Sequence, residues 1–87
     1  MTEQPVLEVK LVWSPALKQE GYIGKAAAVS SENSLGRFDI LPGHSNFVTQ
    51  IFKNLTIHTS DKKEIKYEFN RGVLEVSDSA VHIYLGI

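Results

Sequence analysis

Three histidines, at positions 44, 58 and 82, are the residues of this 87-residue chain best suited to acid–base chemistry or metal binding. His44 lies in "FDILPGHSNF", directly after a Pro42-Gly43 break, so a Ser-His-Asp set can be assembled on paper from Ser45, His44 and Asp39. Adjacent residues in a turn rarely present nucleophile and base to each other, and no oxyanion-hole signature or Gly-x-Ser-x-Gly elbow accompanies them. The histidines show no His-x-His or His-x-x-x-His spacing, and the chain has no cysteine, so a metal reading is also poorly supported. "GYIGK" looks superficially like a phosphate loop. The Walker pattern, however, needs Gly where Gln19 stands and Ser or Thr where Ala26 stands. Gly21 and Gly24 are better read as serving turn geometry or close strand approach. No catalytic, cofactor-binding or metal-binding residue is assigned, and no cofactor is expected.

The elements that would position these residues are strands. In "VLEVKLVW" Leu7, Val9, Leu11 and Trp13 share one face, with Glu8 and Lys10 on the other. "IKYEF" alternates likewise through Ile65, Tyr67 and Phe69, "VHIYL" through Val81, Ile83 and Leu85, and "LTI" through Leu55 and Ile57. A period of two is the signature of half-buried strands, because successive side chains leave opposite faces of the pleat. His58 and His82 fall on outward phases, where a solvated or cross-strand role is the default. Turn formers cluster between the runs, at Ser14-Pro15, Glu20-Gly21, "SEN" from Ser31, "PGHSN" from Pro42, "SDKK" from Ser60, "NRG" from Asn70 and "SDS" from Ser77. "SPALKQEG" has room for one short helical turn. Ala26, Ala27 and Ala28 are poor strand formers whose small side chains admit a close neighbour, either inside the fold or at an interface. The pattern predicts an all-β sandwich or barrel, one domain over residues 1–87.

Composition narrows the function. Nine Lys plus Arg against ten Asp plus Glu leave a net charge of −1, without the basic stripe of a nucleic-acid binder. No charge run anchors the chain to a lipid surface, and no apolar run approaches the ~20 residues of a membrane span. The absence of cysteine favours a reducing compartment, or a partner that supplements a thin core. "MTEQPVLEVK" lacks the features of a signal peptide, so the chain reads as cytosolic and "NLT" at Asn54 as a chance glycosylation match.

Taken in order, the motifs resemble those of the epsilon subunit of F-type ATP synthases. "FDILPGHSNFVT" is similar to that family's Gly-Ile-Leu-Pro-Gly-His-Ala-Pro-Leu-Val-Thr segment, and "RGVLEV" to its Gly-Gly-[Phe/Ile]-Leu-Glu-Val. "VHIYL" resembles the strand that follows, "YIG" the aromatic-x-Gly step upstream, and "LEVKLVWSP" the N-terminal strand. The resemblance implies a β-sandwich of about ten strands. It implies a non-catalytic rotor subunit of the central stalk, docked on the gamma subunit and the membrane c-ring and coupling proton-driven rotation to ATP synthesis. Contacts with the catalytic head are a further implication, as is a peripheral position on the cytoplasmic side of an energy-transducing membrane, expected to be a bacterial plasma membrane. Neither nucleic-acid binding nor membrane insertion is implied. Both sandwich faces carry apolar residues, so the face that meets gamma stays open. The competing reading is a generic β-sandwich module for protein interaction or ligand binding.

Common family members continue into two helices that can inhibit hydrolysis and, in some members, bind ATP. This chain ends at Ile87, just past the last strand, and the expectation is that it neither binds ATP nor inhibits itself. Arg37 replaces a common Glu, Asp39 a common Gly, and Asn46-Phe47 lie in the usual Ala-Pro-Leu region. Asp39 is expected to point outward at a sheet edge, and Phe47 to join the core or cap the loop. The expected partner interface comprises Arg37, Pro42, Gly43, His44, Ser45, Asn46 and Thr49, with His44 as a contact or a loop-stapling hydrogen-bonder.

Overall fold

The computed structural model describes residues 5–87. Seven strands follow in order: β1 (Leu7–Trp13), β2 (Tyr22–Ala26), β3 (Ala28–Asn33), β4 (Gly36–Ile40), β5 (Phe47–His58), β6 (Glu64–Ser77) and β7 (Ala80–Leu85). One turn of 3-10 helix, Pro15–Leu17, joins β1 to β2 where Ser14-Pro15 interrupts the first strand. Alternation explains the strands directly. Leu7, Val9 and Leu11 are buried while Glu8 and Lys10 are exposed, and β7 buries Val81, Ile83 and Leu85 between exposed His82 and Tyr84.

All seven strands belong to one hydrogen-bonded sheet in the order β2-β1-β7-β6-β5-β3-β4. Every pairing is antiparallel except that of β1 with β7. The sheet doubles over where β5 and β6 change register. Phe52 pairs with Arg71 but Lys53 with Phe69, so Asn70 has no opposite residue, and Lys53 takes a left-handed φ of 73°. An extra residue of this kind bends a strand pair and increases its twist. The first half of β5 and the second half of β6 thus lie with β7, β1 and β2. Their other halves lie with β3 and β4. Cross-layer contacts close the sandwich: Trp13 of β1 meets Tyr67 of β6 with ring centroids 6.2 Å apart, and Phe38 of β4 meets Phe47 of β5 at 5.8 Å. The smallest dimension, 19 Å, suits two packed layers.

The expected all-β sandwich is present, with seven strands in place of about ten. The difference is physical: β5 and β6 run through both layers, so each supplies two apparent strands from one unbroken one. Two expected turns are strand interior for related reasons. In "NRG", Gly72 is buried, and a Cβ there would stand 2.6 Å from the Tyr84 carbonyl oxygen, so the glycine serves close strand approach. In "SEN", Ser31 is fully buried, and its hydroxyl donates to the Asn54 carbonyl at 2.7 Å. That bond removes the cost of burying a hydroxyl in a strand. At Gly21 an added Cβ would collide with the Leu11 carbonyl oxygen, consistent with close strand approach.

Among the described residues fourteen apolar side chains form the buried core, including Leu7, Val29, Ile40, Ile51, Leu55, Ile57, Leu74 and Ile83. Tyr67 lies half-buried at its margin. Burial raises the Tyr67 phenol above its ordinary value, and the neighbouring Tyr22 adds to the rise.

Lys53 holds a left-handed conformation that costs a side-chain-bearing residue about 1–2 kcal/mol, and its own end of the ion pair with Glu32 is exposed. Lys53→Gly should therefore be neutral or mildly stabilising in chemical denaturation, while Lys53→Val should destabilise by about 2 kcal/mol; equal effects would refute a conformational role. For Tyr67, the folded value lies above the unfolded one of about 10, so its contribution is complete below that pH and is lost as pH rises through the folded value. Tyrosinate absorbance should show a late component that Tyr67→Phe removes, with folding stability falling across the same alkaline range.

Candidate functional site

The expected interface residues lie along one rim of the sandwich. Residues 41–46 carry the chain from β4 in one layer to β5 in the other, so this loop closes an open edge. Pro42 and Gly43 form its turn, with Gly43 at φ 87° and the His44 amide donating to the Leu41 carbonyl at 3.1 Å. Positive φ is the conformation for which glycine is suited. Nothing lies within 4 Å of a Cβ built at Gly43, so its conformation and not crowding accounts for the residue.

His44 is held inside this turn. Its Nδ1 lies 2.8 Å from the Ser45 carbonyl oxygen, which can only accept, so Nδ1 donates. Its ring packs on Phe47 at 5.5 Å, and Phe47 packs edge-on to Phe38. The expectation of a loop-stapling histidine matches this geometry. Phe47 combines both roles considered for it: half-buried against the core, it is also the platform on which the loop rests. Asn46 accepts the Asp78 amide at 3.3 Å, tying the loop to the β6–β7 turn, where Asp78 and Ser79 take left-handed φ of 50° and 67°.

Arg37 and Thr49 lie further along the rim. Arg37 is exposed on β4, opposite Glu32 of β3. Thr49 Oγ1 accepts from Asn33 Nδ2 at 3.2 Å, which ties the β3–β4 hairpin to the first half of β5. The structure therefore joins Pro42 to Asn46 as one unit and links Thr49 to the hairpin that carries Arg37. Asn33, Asn46 and Asp78 perform this tying. The sequence marks them only as turn formers, because each bond joins residues distant along the chain. Exposed apolar side chains also stand near the rim, at Leu35 (95% exposed), Leu41 and Val48.

Ser45, His44 and Asp39 do not converge as a catalytic set. Asp39 accepts the Ser30 hydroxyl at 2.6 Å on the outward face of edge strand β4, away from the paper triad. This is the outward, sheet-edge position expected of it, and its φ is not positive. Among the described residues, no group of three or more His, Cys, Asp or Glu is placed to hold a metal ion. What fold and rim define is a small β-sandwich presenting a pinned, partly apolar edge.

The particular family follows from comparison. The family described as "ATP synthase, Delta/Epsilon chain, beta-sandwich domain" matches residues 15–85, and the chain belongs to it. A curated relative, the ATP synthase epsilon chain of Corynebacterium aurimucosum, is 29% identical over 85 residues, covering 95% of this chain and 62% of the relative. The chain thus spans less than two thirds of that relative's length. Among solved structures, a chain of the Euglena gracilis mitochondrial ATP synthase (OSCP/F1/c-ring, rotational state 1) matches with a TM-score of 0.82 at 20% identity, over 98% of this chain and 53% of that one. A chain of the Tetrahymena thermophila mitochondrial ATP synthase central stalk and c-ring matches with a TM-score of 0.74 at 14% identity, over 99% and 67%. At these identities the structures attest the fold.

The packing of the loop on Phe47 can be measured. Phe47→Ala should cost about 2 kcal/mol, less than a fully buried phenylalanine because the ring is half-buried, or roughly 10 °C in Tm. A loss below about 0.5 kcal/mol would mean that the ring does not support the loop.

Proposed function

We propose that the chain is a central-stalk rotor subunit of an F-type ATP synthase, coupling c-ring rotation to ATP synthesis through the gamma subunit. The observation that carries this reading is membership of the Delta/Epsilon-chain sandwich family, matched over β2 to β7. The rim supports it physically. A coupling part must transmit force without yielding, and the Pro42–Asn46 loop is pinned by Phe47 at one point and by Asp78 at another. Arg37, Pro42, Gly43, His44, Ser45, Asn46 and Thr49 are the proposed contacts with gamma or the c-ring. The chain makes and breaks no bond itself in this role. Its proposed station is the cytoplasmic face of a bacterial plasma membrane, peripheral to the bilayer.

Arg37 is exposed and its guanidinium has no salt-bridge partner among the described residues. We place it opposite an acidic side chain of the c-ring loops, where an exposed pair contributes at most about 1 kcal/mol. The chain should co-purify with its cognate gamma subunit under native conditions; failure to do so would defeat the reading and favour an unrelated interaction module. Arg37→Glu should then lower ATP-driven proton pumping by up to roughly fivefold without unfolding the chain. Unchanged pumping would remove Arg37 from the interface.

A further inference from the structure

On the outward face of the second layer, four polar side chains from four adjacent strands form one connected chain. Ser30 Oγ of β3 lies 2.6 Å from Asp39 Oδ1 of β4 and 2.9 Å from His58 Nε2 of β5. His58 Nδ1 in turn lies 3.5 Å from Glu64 Oε2 of β6. Register explains the assembly: Ser30 is directly opposite Asp39, His58 is directly opposite Glu64, and Ser30 is diagonal to His58.

Counting protons places one of them on His58 Nε2. An ionised carboxylate only accepts, so the single hydroxyl proton of Ser30 belongs to the short bond with Asp39. Ser30 Oγ must then accept from His58, which makes Nε2 a donor. Nδ1 faces a second carboxylate at ion-pair distance, a contact that is attractive only when Nδ1 also carries a proton and the ring is charged. A neutral imidazole carries one N–H and an imidazolium two. From this geometry we propose that Asp39, Ser30, His58 and Glu64 form a proton-dependent clasp, complete only when His58 is doubly protonated, that ties edge strand β4 to β3, β5 and β6.

The surroundings are consistent with a cation at this point. Asp39 from β4 and Glu64 from β6 are the acidic groups facing the ring, and Ala28 of β3, opposite His58, brings no charge. Lys66 of β6 lies 3.7 Å from Glu64 Oε1 and shares that carboxylate with the ring. On the β5–β6 turn, Asp61 is engaged by Thr59 and Lys63. Asp39 is two residues from Arg37 on the same outward face. The clasp therefore governs how firmly the proposed contact edge is held, although it rests on the strand geometry and not on the stalk assignment.

The sign follows from the bonds. Doubly protonated His58 donates to Ser30 and attracts Glu64, so lowering the pH completes the clasp and raising it removes the Glu64 link. Amide hydrogen exchange on the folded chain, corrected for intrinsic rates, reads this locally. Protection of the β3 and β4 amides should be roughly threefold to tenfold greater at about pH 5.5 than at about pH 8. His58→Gln, which cannot donate on both sides, should abolish that ratio, as should Ser30→Ala, which removes the middle link. A wild-type ratio near one would overturn the proposal. So would a ratio that survives in His58→Gln.

Discussion

The bend shared by β5 and β6 is the constraint on which the rest of this protein depends. A chain of 87 residues cannot bury both faces of a flat seven-stranded sheet. It can bury one face by folding the sheet onto itself, and the unopposed Asn70 with left-handed Lys53 supplies the hinge line. Every core contact between β1 and β6, and between β4 and β5, exists because the two halves of the long strands point into different layers. Gly72 completes the arrangement beside the bend, since a side chain there would hold β6 away from the β7 backbone.

Folding a sheet this way leaves an open edge where β4 passes over the start of β5, and the rim loop is the answer to that edge. Phe38 and Phe47 fill the opening, His44 covers Phe47, and Asn46 fastens the loop to the turn between β6 and β7. The same segment therefore seals the core and, in the proposed stalk role, would offer a firmly held outline to a partner. Sealing and presenting place similar demands on residues: a turn that does not move, an aromatic platform and few mobile side chains. This economy suits the proposed rotor role, where compliance would dissipate rotation.

The outward faces are differently organised. Around β1, β2 and β7, exposed Ile23 and Tyr84 alternate with charged residues, while the opposite layer carries the connected polar chain from Asp39 to Glu64. One layer therefore has apolar surface available for contact, and the other is stitched across its strands by two hydrogen bonds and an ion pair. Edge strand β4 profits most from such stitching, since it is paired along one side only.

Much was legible in the sequence because alternation is a local property. "VLEVKLVW" and "VHIYL" declare which residues face inward whatever their partners, and Leu7, Val9, Leu11, Val81, Ile83 and Leu85 are all buried. Pro42-Gly43 likewise declares a turn, because φ preferences belong to single residues. Order and spacing of motifs identified the family. Tertiary structure alone decided what depends on residues far apart: that "NRG" continues a strand because Gly72 must admit β7, and that "SEN" does so because Ser31 finds the Asn54 carbonyl. It also decided that Asp39 joins Ser30, His58 and Glu64, and not Ser45 and His44. A one-dimensional pattern records which face a side chain takes. Only strand register, set when the sheet folds over, determines which side chains share that face.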